Sequence, residues 1–400
     1  MTRGRRGILA GAIVTAVVAT VVVVTVRHHS SSSASASAFP LEDRGSWRAL
    51  PPPPLSPRAD PLAVWTGHEV IFLGGASKPC PPFINCDMPL TPTSEVTTFD
   101  EKTDGAAYDV ATGTWRRLAG PPTRVGLETV VYAGGHVLVV DDRGRTWDYD
   151  VERDSWTRFR SRWDARDGVS AAGGRIYAMS SYDRSGGYVV SYRPSTSTWS
   201  RYPVDRLRPR LEGSVVATSQ GPVLMGIYKR RAPYHHLPST VVADAWTGHA
   251  WRRLPLTPQL DREYTWTGHR LVDPVQGTRY HGGSDAWPHR YPEGGALDPA
   301  TGRWTALPAV WQSAEIRYAD PTPGWDVDTL DRGTGPRFVV QGEVYDDDTG
   351  SAWLLPRPAG SPPYFASGVW AGGRLVVLGG ASFDGQHQTG VSRRAWVYTP

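Results

Sequence analysis

Tyr108-Asp109-Val110-Ala111-Thr112-Gly113-Thr114-Trp115-Arg116-Arg117-Leu118 decides the fold, because the chain keeps restating it. Leu297-Asp298-Pro299-Ala300-Thr301-Gly302-Arg303-Trp304 is a second copy, and Tyr345-Asp346-Asp347-Asp348-Thr349-Gly350-Ser351-Ala352-Trp353 is a third with one extra residue. Tyr149-Asp150 to Trp156, Tyr192-Arg193 to Trp199 and Ala243-Asp244 to Trp251 are looser versions. Each reads as a strand, a tight turn and a second strand entered through Trp. The Asp carboxylate suits the backbone N–H groups of such a turn, and Gly supplies its left-handed residue. One hairpin of this kind buries little by itself, so a repeated hairpin implies stacked copies.

The Trp markers set the period. Trp47, Trp115, Trp156, Trp199, Trp251, Trp304 and Trp353 lie 68, 41, 43, 52, 53 and 49 residues apart. Between markers an apolar strand, a Gly turn and a second apolar strand recur: Val130 to Val140 around Gly134-Gly135, Val169 to Met179 around Gly173-Gly174, and Val369 to Leu378 around Gly372-Gly373. Four short strands in 40–50 residues is the period of a propeller blade. The composition agrees: 43 Gly, 35 Pro, 17 Trp and 17 Tyr, with only 20% charged residues.

A strand, Gly-Gly, a strand, Gly-Gly and then Tyr-Asp-x-x-Thr-Gly-x-Trp resembles the kelch repeat of the galactose oxidase-like β-propellers. The resemblance spans residues 40–400. Leu73-Gly74-Gly75 and Leu378-Gly379-Gly380 match the double glycine best, whereas Ser180-Ser181 and Met225-Gly226 stand in its place in the central copies. The sixth copy, about 305–353, has no clear first strand pair. Ser46-Trp47-Arg48-Ala49-Leu50 is an outer strand with nothing before it, and Trp396-Val397-Tyr398-Thr399-Pro400 lacks the hairpin that should follow. The resemblance implies that these ends complete one blade together. An all-β, seven-bladed kelch-like propeller is therefore expected over 39–400, with six blades as the alternative if the sixth copy is a long loop.

Residues 1–38 stand apart. Arg3, Arg5 and Arg6 precede an uncharged run from Ile8 to Val26, followed by a Ser/Ala spacer ending at Ala38. Nineteen residues is near the length of a membrane-spanning helix and longer than a usual signal core. Ala34-Ser35-Ala36 and Ala36-Ser37-Ala38 both resemble cleavage sites, so a signal anchor and a cleaved signal both stand. Either places the propeller outside the cytoplasm, bound to the membrane or secreted. This segment also holds the excess charge. Removing its four arginines leaves 39 basic residues against 39 acidic ones in 39–400, so no nucleic-acid partner is expected.

The first marker spacing is long because of a Pro-rich insertion, residues 76–104, with the only two cysteines, Cys80 and Cys86. In an oxidising compartment a disulfide between them is expected. The alternative, a two-thiol metal or redox site, lacks a nearby His and a Cys-x-x-Cys spacing.

An Arg recurs after the markers: Arg58, Arg124, Arg166, Arg210 and Arg262 follow theirs by 11, 9, 10, 11 and 11 residues. Arg317 follows by 13, and Tyr364 takes the position after Trp353. Equivalent positions of a propeller form a ring on one face. The resemblance implies that this loop helps form the ligand pocket, where Arg would grip anionic groups through forked hydrogen bonds. Tyr364 and Tyr264 offer stacking area. The competing reading is local pairing, since Asp60, Glu128, Asp167, Glu212 and Glu263 follow these arginines closely.

Catalytic chemistry finds less support. A copper radical oxidase, which the resemblance raises, needs a Cys–Tyr cross-link and two His ligands, yet both cysteines sit in one insertion and His235-His236 is the only adjacent His pair besides His28-His29 of the export segment. A glycosidase or lyase needs two carboxylates about 5–10 Å apart, for which Asp320, Asp326, Asp328 and Asp331 are the nearest cluster. No catalytic residue, metal or cofactor is assigned. The expectation is a monomeric, non-catalytic binding module for an anionic peptide or glycan, with an extracytoplasmic carbohydrate-active enzyme as the alternative.

Overall fold

A computed structural model describes residues 43–81, 100–123, 127–141, 143–163, 168–180, 188–204, 211–228, 241–255, 264–273, 295–306, 325, 327–328, 335–340 and 342–400. Residues 1–42 and most of the cysteine insertion, Cys86 included, lie outside these residues. Seven sheets are present among the described residues, and they form a seven-bladed β-propeller. Blades one to five are four-stranded antiparallel sheets within 62–118, 127–159, 169–203, 211–253 and 265–306.

Blade seven carries the closure expected from the chain ends. Its inner strand Tyr364–Ala371 pairs with Arg374–Asp384, which pairs with Ala395–Thr399, and the amino-terminal strand Ser46–Ala49 supplies the outer edge. The register sets Trp47 opposite Tyr398 and Ala49 opposite Trp396. Blade six is described as three strands, Arg337–Val340, Glu343–Asp346 and Ser351–Leu354. The short strand Val327–Asp328 pairs in parallel with Ala366 and Ser367 of blade seven instead. A Cβ at Gly368 would meet Val327 at 3.0 Å, so this glycine makes room for the extra strand.

The core consists of seven apolar seams, one between each pair of neighbouring blades. A strand buried on both faces reads as a continuous apolar run, and alternate residues serve alternate seams. Val70 and Phe72 face blade seven while Ile71 and Leu73 face blade two. Val376 and Leu378 face blade one while Leu375 and Val377 face blade six.

The repeated hairpin has the turn chemistry its sequence demands. Asp109 Oδ1 accepts the N–H groups of Ala111 and Thr112, Asp298 Oδ1 those of Ala300 and Thr301, and Asp346 Oδ1 those of Asp348 and Thr349. The Thr112 N–H bond holds the Asp109 carboxyl below its ordinary range. Across the hairpin, Tyr108 lies opposite Trp115, Tyr149 opposite Trp156 and Tyr192 opposite Trp199, with ring centroids 4.8–5.0 Å apart.

The period of the markers is also a period of hydrogen bonds. Trp115 Nε1 donates to the Pro51 carbonyl at 2.9 Å, Trp156 to Ala119 at 2.8 Å and Trp251 to Pro203 at 2.8 Å. Each acceptor stands four residues beyond the marker of the preceding blade, at or just past the end of that blade's outer strand. Trp47 donates likewise to the Pro356 carbonyl. The indole therefore ties each of these outer strands to its neighbour, which Phe at the marker could not do. Trp156→Phe keeps the ring in its seam and deletes the donor. A loss of about 1 kcal/mol is expected, read as a lower denaturation midpoint at unchanged cooperativity.

Pro356 lies three residues beyond Trp353, not four, and the exception has a cause. The extra residue of the sixth hairpin, Ala352, takes the marker position opposite Tyr345, which sets Trp353 opposite Val344. A one-residue slip turns a side chain to the other face of its sheet. Trp353 accordingly points toward blade seven and donates to Tyr398 Oη at 2.6 Å. That seam gathers Trp47, Trp325, Trp353, Trp370, Trp396 and Tyr398. The seam between blades five and six is left with Val272, Ala296, Phe338, Tyr345 and Ala352.

Candidate functional site

In blade seven Tyr364, the first residue of the inner strand, pairs with Ala381 beyond the middle of the second strand. Inner strands thus begin where second strands end. The connections into inner strands and those from second to third strands open on one face, here the upper. The Asp turns open on the lower face. There Thr267 Oγ1 donates to Asp347 at 2.6 Å alongside Arg270, Arg252 Nη2 donates to the Pro299 and Ala300 carbonyls at 2.7 Å, and Arg337 donates to the Gly373 carbonyl at 3.3 Å, so the blades are clipped together from below.

On the upper face the connection 50–61 runs between blades seven and one. Arg58 N–H donates to the Ser392 carbonyl and Gly380 N–H to the Arg58 carbonyl, which ties the segment to blade seven. Ala59 and Ala76 exchange two backbone hydrogen bonds, which ties it to blade one. Both double glycines lie against it. A Cβ at Gly379 would stand 2.4 Å from the Arg58 carbonyl oxygen, and one at Gly75 would stand 2.6 Å from that of Ala59. Both also have positive φ, +83° and +87°. The double glycine is therefore the floor on which this connection rests.

Arg58 itself is fully buried. Its guanidinium donates to the Gly74 carbonyl at 2.9 Å, to the Ser56 carbonyl and hydroxyl at 3.0 and 3.1 Å, and to Asp104 Oδ1 at 2.8 Å. It joins the connection to blade one from within and turns no face to the upper surface. Arg124, Arg166, Arg210 and Arg262 lie outside the described residues. Among the strands that flank them, each outer strand ends and each inner strand begins on the upper face.

Tyr364 belongs to an aromatic cluster that sequence reasoning did not assemble. Its ring lies 6.2 Å from that of Phe365 and 6.1 Å from that of Phe383, and Phe365 lies 6.0 Å from Phe383 at an interplanar angle of 82°. All three are half-buried. Phe365 has φ +58°. The other described non-glycine residues with positive φ are Asp and Ser, types that tolerate it; a bulky aromatic there is strained. The strain has an identifiable holder. Asp60 N–H donates to the Phe365 carbonyl at 2.8 Å, and Gly380 opposite bends at φ +106° to meet Arg58. Phe365 and Gly380 consequently drop out of the ladder between Tyr364–Ala381 and Ala366–Gly379.

Polar groups rim this cluster. Ser367 Oγ donates to Asp60 Oδ1 at 3.4 Å. Phe383 rises on a hairpin formed by the second strand and His387–Val391, where Gln388 is its cross-strand neighbour. The Gln388 carboxamide donates to the Ser77 carbonyl at 2.9 Å, so the hairpin leans on the base of the cysteine insertion. Ser77 bonds Asp100, which pairs with Lys102.

The remaining sequence candidates fall elsewhere. Tyr264 is buried in the seam between blades four and five, edge-on to Trp304. Asp346, Asp347 and Asp348 occupy a lower-face turn, where Asp346 pairs with Arg337 at 2.7 Å. His235, His236, Arg317, Asp320, Asp326 and Asp331 lie outside the described residues. Among the described residues no group of His, Cys, Asp and Glu could hold a metal ion. No family model matches the chain, and no curated protein matches it in sequence.

Proposed function

We propose that the chain is an exported, membrane-anchored kelch-like propeller that binds a partner molecule at its upper face without transforming it. The observation that carries this reading is the half-buried, backbone-strained aromatic cluster Tyr364–Phe365–Phe383, set where the connections between blades open. Packing alone gives no reason to hold a Phe in the left-handed region, since Gly would sit there without strain. Arg124, Arg166, Arg210 and Arg262 add donors for anionic groups of an acidic peptide or glycan in this reading. The Cys80–Cys86 disulfide stiffens the insertion beside it.

The full chain in detergent, probed against an array of acidic peptides and glycans at low and moderate salt, tests the reading. Binding that weakens with salt and is lost in Arg124→Ala/Arg262→Ala is the expected result. Binding that the double variant keeps at every salt concentration would remove the arginines from the site. No binding to any probe would count against a binding module.

A further inference from the structure

We infer that the aromatic cluster on blade seven is a subsite for a neutral sugar ring, packed on Phe365, Tyr364 and Phe383. The inference rests on the proposed upper-face binding module and names the chemistry of one part of it.

The argument starts from what surrounds the rings. Phe383 meets both Tyr364 and Phe365 edge to face, an arrangement that leaves ring surface uncovered, and all three are partly exposed. An apolar partner alone would suit such a surface, but the rim is polar. Asp60 is fixed beside Phe365 by its backbone N–H bond, and its carboxylate accepts from Ser367. The Gln388 carboxamide stands across the strand from Phe383, and Ser77 adjoins it. The exposed carboxylate of Asp60 and carboxamide of Gln388 beside aromatic rings match a ring that has C–H faces and hydroxyl edges. The carboxylate also weighs against an anion at this subsite, so negative groups of a glycan would have to lie toward the arginine loops. The strain at Phe365 completes the case. The chain holds an aromatic residue at φ +58° through the Asp60 N–H bond, so the residue that shapes the aromatic surface is tied to a residue that carries an exposed carboxylate.

The test uses the full chain in detergent with an array of neutral oligosaccharides and methyl pyranosides, beside acidic peptides, at two salt concentrations. Phe365→Gly removes the ring while relaxing the backbone, so its thermal midpoint should hold or rise. Phe383→Ala removes a second ring from the projecting hairpin and serves should the first variant fold poorly. The expected result is salt-insensitive binding of neutral sugars, weakened about tenfold or more by each variant. Neutral-sugar binding that both variants retain would overturn the subsite. Binding of acidic peptides with no neutral sugar bound would overturn the sugar inference and leave the binding module standing. An array on which nothing binds would overturn both.

Discussion

Arg58→Met is expected to loosen the seam between blades seven and one, at a cost of about 3 kcal/mol. The side chain is fully buried, and its donors serve the Gly74 carbonyl, the Ser56 carbonyl and hydroxyl, and Asp104. Methionine fills much of the same volume but leaves those acceptors unmet, and each unmet buried group costs about 1–3 kcal/mol. Asp104 contributes less to the total, because its side chain is 33% exposed and can rehydrate. Asp104→Asn should therefore cost about 1 kcal/mol, well short of Arg58→Met. For a domain of this size the larger loss corresponds to roughly 4 °C in thermal midpoint. Hydrogen exchange gives the sharper readout. Protection should fall in Ser46–Ala49 and Ala395–Thr399, which close the ring, and hold in blade three. Equal losses in the two variants would show that the ion pair, and not the buried carbonyls, carries the effect. Gly379→Ala should reproduce the Arg58→Met pattern, because its Cβ would strike the Arg58 carbonyl from the other side.

The seven blades were legible because their signal is periodic and local: Asp and Gly sit where turn chemistry requires them, and the marker Trp of four blades sits where its indole can bond the preceding outer strand. The closure of Ser46–Ala49 on Ala395–Thr399 was legible as a missing strand at one end and a surplus at the other. The site was legible only in part. Arg58 recurs in the sequence like its equivalents, but a spacing cannot say whether a guanidinium faces a pocket or the interior; burial of Arg58 follows from glycines on two blades far apart in the chain. Tyr364 was visible as the residue that takes the arginine position. Phe365 and Phe383 were not, since a left-handed Phe leaves no mark in sequence and a hairpin extending past its sheet resembles any polar loop. The reversal of Trp353 could have been read from the extra Ala352, because an added residue in a strand changes the face of everything after it.

That reversal leads to the second large effect, at Glu343. With Trp353 turned toward blade seven, the seam between blades five and six has a small apolar core, and Glu343 lies on its face of the strand, two residues before Tyr345. The residue is 5% exposed, and its Oε1 has no hydrogen-bond partner among the described residues. Burial alone pushes the carboxyl up from 4.5 to about 7. The sign of the consequence follows from proton uptake. Between pH 4.5 and 7 the unfolded chain has released this proton while the folded chain keeps it. The stability that Glu343 contributes is therefore complete below its unfolded value and is lost as pH rises to about 7, amounting to roughly 3 kcal/mol if the seam excludes water fully. Glu343→Gln removes the ionisation but keeps a buried polar group that still costs desolvation. That cost is the same at every pH, so the variant should match or fall slightly below the parent at pH 4.5 and exceed it by about 2–3 kcal/mol at pH 8. The check is a pair of urea titrations across pH 4.5–8, compared as a difference so that other titrating groups cancel. A difference that stays flat with pH would mean that Glu343 is ionised in the fold. A difference that grows as pH rises to 8 would show that the seam left by the turned Trp353 holds Glu343 as the protonated carboxyl.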